Sequence, residues 1–298
     1  MRETSKAIEA SQRVLWRHFV GRTRLMVCAN QVTVAIVHAL LGRETEEQQT
    51  IVVYNSDRCD VEELERRGVL CVPFTHRWLC ALVLIRYCIL GNAELCLPHH
   101  RFGRSILWLL TFARKTSLID DGLDTLRNVP RNVEPEKFAA GTTFYTFRYD
   151  VELGRWLSRF NVERVADIGV LSGSGRQMID LSATRRLIVE SPPIARVASE
   201  LRLNENGTLL VRHSNVNKQV LPRSEGKEVA GADVALERSL QDFSGEIVVG
   251  ESMVAVFALL NESPSYKLTV YLPKENIESL SPLVRLIEKR QFAELRQC

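Results

Sequence analysis

The sequence has almost no excess charge of either sign and no apolar run long enough to cross a bilayer. Its 39 basic and 36 acidic residues leave a formal net charge of +3, which lacks the excess expected of a protein that neutralises many nucleic-acid phosphates. The most apolar region, 78–90, is interrupted by Arg86 and is well short of the ~20 residues that span a membrane. These absences argue against a nucleic-acid partner and against a spanning segment.

Familiar metal, nucleotide and hydrolase motifs are also missing from the sequence. It contains no CxxC, HExxH, GxSxG or GxGxxG pattern, no P-loop GK[ST] and no zinc-spaced cluster. The cysteines number seven, an odd count, and most of them lie in apolar segments of the first hundred residues. Such usage is typical of reduced, packed thiols in a cytosolic protein. We therefore expect an intracellular protein without a disulfide framework.

Short apolar runs alternate with helical patterns through the first half of the chain. Continuous apolar strands that alternate with helices of about ten residues indicate a parallel sheet covered on both faces. The first half therefore predicts a Rossmann-type domain. Strands are expected at 24–29, 50–54, 69–73, 93–97 and 116–119, and helices at 31–41, 61–67, 78–90 and 104–114.

The alternation weakens between residues 123 and 160, where Pro130 and Pro135 flank a charged stretch. A boundary here gives two domains, 1–140 and 141–298. The fold class expected is α/β, with two Rossmann-like domains whose strand ends face a shared cleft, where open α/β sheets bind ligands. In the second half, strands are expected at 164–170, 186–190, 208–212, 246–250 and 267–271, and helices at 194–203, 232–241, 253–260 and 275–296.

The most informative feature is Asp120-Asp121-Gly122, which closes a buried apolar strand. Charge at such a position is costly unless it is used. A carboxylate in a partly dry cleft can act as a general base toward a hydroxyl, because desolvation and its like-charged neighbour raise its proton affinity. Asp124 adds a third acid nearby. A turn with a helix cap and a divalent-metal site are the alternatives, and the residues alone leave all three open.

Two positions of the second half are suited to binding an anion. His213 and its neighbour Arg212 come at the end of a strand and could pair with a phosphate, although a lone histidine there is more often structural. Ser252 opens an apolar helix, so its hydroxyl and the free backbone N–H groups form a ready anion site. An ordinary N-cap explains Ser252 equally well.

Two further loops follow predicted strands. Ser172, Gly173 and Ser174 could approach a phosphate or a nucleobase, although the spacing is neither that of a dinucleotide fingerprint nor that of a P-loop. His99 and His100 come after Pro98, where we expect an exposed loop pair.

In their order along the chain, these residues resemble the bacterial sialyltransferases and polysialyltransferases. Members of that group carry a [DE][DE]G motif, an HP motif and a paired SS/ST motif on a GT-B fold. Asp120-Asp121-Gly122 matches the first motif, His213 in Leu-Leu-Val-Arg-His-Ser the second, and Ser252 in Gly-Glu-Ser-Met the third. Ser214 replaces the proline of HP, and Met253 replaces the second hydroxyl. The likeness covers roughly residues 24–272.

The resemblance implies inverting, metal-independent transfer of sialic acid, or a related nonulosonic acid, from a CMP-activated donor. Asp120, or Asp121 if the loop is turned differently, matches the carboxylate that deprotonates the acceptor hydroxyl. His213 and Ser252 match the residues that contact the phosphate of the CMP leaving group, with Arg212 and the helix N-terminus adding positive potential. The acceptor implied is an oligosaccharide or glycolipid of a surface glycan, such as lipooligosaccharide or capsule.

Other functions remain compatible with the sequence. A transferase of this architecture could use CMP-Kdo or another nucleotide sugar, and a non-catalytic saccharide- or nucleotide-binding protein of polysaccharide assembly could keep the fold alone. An NAD(P)-dependent enzyme could use the loop at 172–175. We expect a cytoplasmic protein with peripheral contact at the inner face of the membrane, since lipid-linked acceptors lie there and residues 1–24 combine arginines with Trp16 and Phe19.

Overall fold

The chain divides into two compact units. The computed structural model describes residues 22–43, 48–56, 59–74, 81–83, 85–87, 93–99, 113–131, 133–166, 180–212, 220–221, 227–230, 240, 242–261 and 264–298. The first unit comprises Met1–Asp121, Pro130–Arg148 and Trp156–Gly175, and the second comprises Gly122–Val129, Tyr149–Arg155 and Arg176–Cys298. Among the described residues, no helix has the length and apolar character needed to cross a membrane.

The first unit contains a seven-stranded sheet in the order β3-β2-β1-β4-β5-β6-β7, in which all pairs of neighbours are parallel. Its strands are β1 (Arg22–Cys28), β2 (Gln48–Tyr54), β3 (Leu70–Pro73), β4 (Glu94–Pro98), β5 (Lys115–Ile119), β6 (Thr143–Phe147) and β7 (Asn161–Ala166). Two helices, α1 (Gln31–Leu41) and α2 (Glu62–Arg66), follow β1 and β2.

Burial explains why these segments form strands. Leu25, Ile51, Leu95 and Leu118, on four neighbouring strands, are each 0% exposed, as expected where both faces of a parallel sheet are covered. Helix α1 starts at a capping box, since the side chain of Asn30 accepts from the N–H of Thr33 at 3.1 Å and the Thr33 hydroxyl accepts from the N–H of Asn30 at 3.3 Å. The capping box therefore fixes the point at which α1 begins, shortly after β1 at the carboxyl edge of the sheet.

The second unit contains a six-stranded sheet in the order β10-β9-β8-β11-β12-β13, again with all neighbours parallel. Its strands are β8 (Arg186–Val189), β9 (Thr208–Arg212), β10 (Lys227–Ala230), β11 (Glu246–Val249), β12 (Lys267–Leu272) and β13 (Ala293–Gln297). The described part of this unit contains the helices α3 (Pro192–Arg196), α4 (Met253–Leu260) and α5 (Ser281–Glu288). Two parallel sheets with intervening helices confirm the α/β class.

The first sheet extends beyond residue 140, where the sequence places the domain boundary. Strand β6 pairs with β5, with Thr143 opposite Ser117, and β7 pairs with β6 in turn. The strand expected at 164–170 in the second domain is therefore β7 of the first sheet. Between these strands the chain passes through the second unit at Tyr149–Arg155, so each unit is built from separate stretches of sequence.

The prediction of one long C-terminal helix over 275–296 is wrong. The chain instead makes a 3-10 turn at Lys274–Asn276, helix α5 and then strand β13, which pairs with β12. Pro282 lies in the first turn of α5, where its missing N–H costs nothing. The expected helices at 104–114 and 232–241 lie almost entirely outside the described residues.

A cluster of charged side chains joins three strands at the amino edge of the first sheet. Glu94 of β4 accepts hydrogen bonds from Arg24 of β1 at 3.1 Å and from the hydroxyl of Ser117 of β5 at 2.8 Å. The ammonium of Lys115 lies 3.3 Å from the same carboxylate. Burial by itself raises the pKa of Glu94, but these three partners outweigh it and hold the pKa below its ordinary value.

Replacing Glu94 with glutamine tests this cluster. The shape is kept but Arg24 loses the charge of the Glu94 carboxylate, so we expect the free energy of unfolding near neutral pH to fall by about 1–3 kcal/mol. Because the folded-state pKa is depressed, this stabilisation is present above the unfolded-state pKa and is lost as the pH falls through the folded-state pKa. Urea unfolding at about pH 7 and about pH 3 should therefore show a difference between wild type and E94Q that shrinks in acid. Glu163→Gln, on exposed edge strand β7, is the control, and a pH-independent difference would contradict the expectation.

Candidate active site

Asp120 lies directly after β5, at the carboxyl edge of the first sheet. Its backbone N–H still donates to the carbonyl of Tyr145 on β6 at 2.8 Å, so the backbone here continues the ladder. Its Oδ2 accepts a hydrogen bond from the hydroxyl of Thr146 at 2.6 Å, and the residue is 0% exposed. Backbone and side chain are therefore both fixed by β6.

His99 holds Asp121 from the opposite side. The N–H of Asp121 donates to Nδ1 of His99 at 3.1 Å, and Nε2 of the same ring lies 2.8 Å from Oδ1 of Asp121. A backbone N–H can only donate, so Nδ1 is an acceptor and the ring proton of the neutral tautomer is on Nε2, which donates to the carboxylate. Nδ1 of His99 also lies 3.4 Å from the carbonyl of Ile119 and 4.0 Å from Oδ1 of Asp120. His99 therefore orients Asp121 through both of its ring nitrogens.

The imidazole of His99 is itself held by aromatic side chains of the first unit. Its ring centre lies 5.6 Å from that of Phe144 and 5.9 Å from that of Trp156, and His99 is 1% exposed. The backbone of Asp121 has a further anchor, since its carbonyl accepts from the side-chain amide of Asn30 at 2.9 Å. The acidic pair is therefore built into a rigid, largely dry surrounding, in which electrostatic interactions are strong.

The position of His99 corrects the expectation of an exposed loop pair, while His100 lies outside the described residues. The signal in the sequence is a histidine directly after an apolar strand, as in the acidic pair itself. Only the strand order, which sets β4 beside β5, brings His99 and Asp121 together. That order cannot be read from either segment alone.

The backbone conformation at position 122 requires a glycine. Its φ of +154° and ψ of −150° lie in a region that is essentially restricted to glycine. A Cβ at this position would also lie 3.4 Å from Cγ of Met253, the first residue of α4. Met253, which replaces the second hydroxyl of the third motif, therefore packs against the glycine of the first motif.

Asp124 is engaged by a guanidinium of the second unit. It lies in the 3-10 turn Leu123–Leu126 of the second unit, and its carboxylate pairs with Nε of Arg127 at 3.1 Å. Both side chains are at least nine-tenths buried. Within the described ranges, no group of three or more His, Cys, Asp or Glu residues is arranged to hold a metal ion.

Ser252 is the N-cap of α4 in the second unit. Its backbone is extended and its hydroxyl oxygen accepts from the N–H of Ala255 at 3.4 Å, so the hydroxyl proton stays available for another acceptor. Gly250, two residues earlier, is needed because a Cβ there would come within 2.2 Å of the Ser191 hydroxyl. Close approach of two strand ends thus shapes the backbone that leads into Ser252.

Arg212 is surrounded by carboxylates and carbonyls of its own unit. It bonds both oxygens of Glu228 at 2.9 and 3.0 Å, and its Nη1 bonds Glu190 at 3.3 Å and the carbonyl of Leu221 at 2.9 Å. The hydrogen bonds to Glu228 raise the pKa of Arg212. Since a guanidinium has five N–H groups, at most one is left for a phosphate, and a role of Arg212 in donor binding stays a prediction.

The remaining residues of the expected donor site lie outside the described part of the chain. These are His213, Ser172, Gly173 and Ser174. Their roles stay predictions.

No protein-family model matches the sequence, and no curated protein matches it. Among solved structures, the α/β-galactoside α-2,3-sialyltransferase of the luminous marine bacterium Photobacterium phosphoreum is similar, with a TM-score of 0.54 at 11% identity, over 93% of this chain and 98% of that one. A glycosyl transferase family 9 protein of Veillonella parvula gives a TM-score of 0.43 at 11% identity, over 94% and 89%. The first likeness shows the fold, and it confirms the α/β, GT-B-like class expected from the sequence.

The hydrogen bond from Thr146 to Asp120 can be tested with an isosteric variant. Thr146→Val keeps the shape and deprives a buried carboxylate of a donor, so we expect the free energy of unfolding to fall by about 1–3 kcal/mol. Urea unfolding followed by circular dichroism measures the change. Thr143→Val, a buried threonine of the same strand, is the control, and equal losses in the two variants would contradict the assignment.

Proposed function

We propose that the protein is an inverting glycosyltransferase that transfers sialic acid, or a related nonulosonic acid, from a CMP-activated donor to a saccharide hydroxyl. The observation that carries the proposal is the buried pair Asp120 and Asp121, held by Thr146 and His99 at the carboxyl edge of a parallel sheet. The fold shared with the Photobacterium sialyltransferase supports the class of reaction. The order of the three motifs supports the CMP-linked donor.

Asp120 is the general base in this proposal. The acceptor hydroxyl attacks the anomeric carbon, its proton passes to the Asp120 carboxylate, and the bond to the phosphate breaks with its electron pair leaving on CMP. One displacement of this kind inverts the anomeric configuration. Thr146 fixes one carboxylate oxygen, and burial strengthens the tendency of a carboxylate to take up a proton. Asp121 is the anchor, because His99 and Asn30 engage both its side chain and its backbone.

The second unit binds the departing phosphate in this proposal. Backbone N–H groups at the start of α4 and the hydroxyl of Ser252 are donors that suit an anion at a helix N-terminus. His213, Arg212 and the loop of Ser172, Gly173 and Ser174 complete the donor site as the resemblance implies. Such donors stabilise the negative charge that develops on the leaving group, so the proposed reaction uses neither a metal nor a cofactor.

The proposed acceptor is an oligosaccharide or glycolipid of a bacterial surface glycan, such as lipooligosaccharide or capsule. A lipid-linked acceptor places the reaction in the cytoplasm at the inner face of the membrane. The arginines and aromatic residues of positions 1–24 suit peripheral contact there. Co-sedimentation with liposomes, with and without this segment, tests that part of the proposal.

Substitution of each aspartate by asparagine tests the assignment of the base. We expect Asp120→Asn to lower the release of CMP from CMP-sialic acid by about 100- to 10,000-fold, because the acceptor then has no base. Asp121→Asn should lower the rate of CMP release by a smaller factor, since it perturbs the position of the acidic pair rather than the proton transfer. Release of CMP is followed by chromatography, and the affinity for CMP is measured by calorimetry.

The affinity of both variants for CMP should equal that of wild type, which separates loss of chemistry from loss of binding. Turnover of CMP-Kdo without turnover of CMP-sialic acid would overturn the proposed donor. Wild-type rates in Asp120→Asn would overturn the proposed base, and unchanged rates in both variants would indicate a structural pair.

A further inference from the structure

The segment that follows the acidic pair along the chain is tied to the start of α4 by a buried guanidinium. Arg127 is 3% exposed, and its Nη2 lies 3.0 Å from Oε2 of Glu251, the residue directly before Ser252. The same guanidinium pairs through Nε with Asp124 at 3.1 Å and donates through Nη1 to the hydroxyl of Ser279 at 3.5 Å. All these residues belong to the second unit.

The carboxylate of Glu251 is unfavourable for the binding of a phosphate at the start of α4. Its side chain is 11% exposed, and it lies beside a serine and a helix start that suit a phosphate. A carboxylate next to a bound phosphate repels it, and the repulsion is strong where water is scarce. The structure offsets part of this charge, since Oε2 of Glu251 accepts from Arg127 and also from the side-chain amide of Asn276 at 2.9 Å.

The neighbours of Arg127 keep its segment in place. The N–H of Asn128 donates to the carbonyl of Ser279 at 2.7 Å, and its side-chain amide donates to the hydroxyl of Ser281 at 2.8 Å and to the carbonyl of Glu278 at 3.1 Å. Arg127 is therefore not a mobile surface cation. It is a fixed charge whose partners are the carboxylates of Asp124 and Glu251.

We propose that Arg127 is a positioning residue for the donor phosphate: it offsets the charge of Glu251 and holds that carboxylate in place, and so leaves the N-terminus of α4 able to bind an anion. This inference rests on the proposed function, because it assumes that the phosphate of CMP binds at Ser252. Arg127 touches neither the acceptor nor the base in this scheme. Its effect is expected on the affinity for phosphate-bearing ligands and not on the proton transfer.

Calorimetry with two ligands, CMP and cytidine, tests the inference. Cytidine lacks the phosphate, so it reports on the rest of the nucleoside site. Arg127→Gln should weaken CMP binding by about 10- to 100-fold, because Glu251 then loses its guanidinium partner beside the phosphate. Binding of cytidine should change by less than about threefold in the same variant.

The second substitution distinguishes charge from shape. Glu251→Gln alone should bind CMP at least as tightly as wild type, and the double variant Arg127→Gln/Glu251→Gln should recover most of the lost affinity. A purely structural role of Arg127 predicts no such recovery. If Arg127→Gln does not fold, the single variant Glu251→Gln still decides, since weaker CMP binding by that variant contradicts the inference.

The outcomes separate this inference from the proposed function. If wild type binds CMP and Arg127→Gln binds it equally well, the inference about Arg127 is wrong, while the proposal of a CMP-linked donor is unaffected. If Arg127→Gln loses CMP and cytidine alike, or if the double variant is not rescued, the effect is structural and the inference is wrong. If wild type binds neither ligand, the proposed donor fails and this inference fails with it.

Discussion

The hydrogen bonds that hold two adjacent, buried carboxylates at the end of β5 are the constraint on which the candidate site depends. Charge in such a place is costly unless donors compensate it, and the donors come from the strands on either side. The hydroxyl of Thr146 on β6 donates to Asp120, and the imidazole of His99, which follows β4, donates to Asp121. The strand order β4-β5-β6 is thus what makes the acidic pair stable, and the pair is fixed before any substrate arrives.

Compensation of buried charge also shapes the second unit. Arg212 is engaged by Glu190 and Glu228, which ties the ends of β8, β9 and β10 together. Arg127 is engaged by Asp124 and Glu251, beside the start of α4. In both clusters the cation offsets carboxylates of the protein. Among the described residues of the proposed phosphate site, the hydroxyl of Ser252 and the backbone N–H groups at the start of α4 are neutral donors.

Local sequence is a good guide to the strands and a poor one to their partners. The apolar runs predict β1 to β5, and the apolar segment after Ser252 predicts α4 with its observed bounds. The sequence predicts helix for the residues of β13, because the helical spacing of apolar residues in α5 precedes them and neither glycine nor proline separates the two elements. These residues form a strand because β12 offers an open edge. The roles of His99 and Arg127 depend on contacts across 22 and 124 positions of the chain, respectively, which no local pattern encodes.

The configuration of the product tests the central claim most directly. A carboxylate that deprotonates the acceptor for a single displacement must give a glycosidic bond of opposite anomeric configuration to that of the CMP-linked donor. NMR spectroscopy of the product formed from CMP-sialic acid and an oligosaccharide acceptor measures that configuration. The account predicts complete inversion by wild type and product formation slowed about 100- to 10,000-fold in Asp120→Asn. Retention of configuration, or an inverted product formed at wild-type rate by Asp120→Asn, would contradict it.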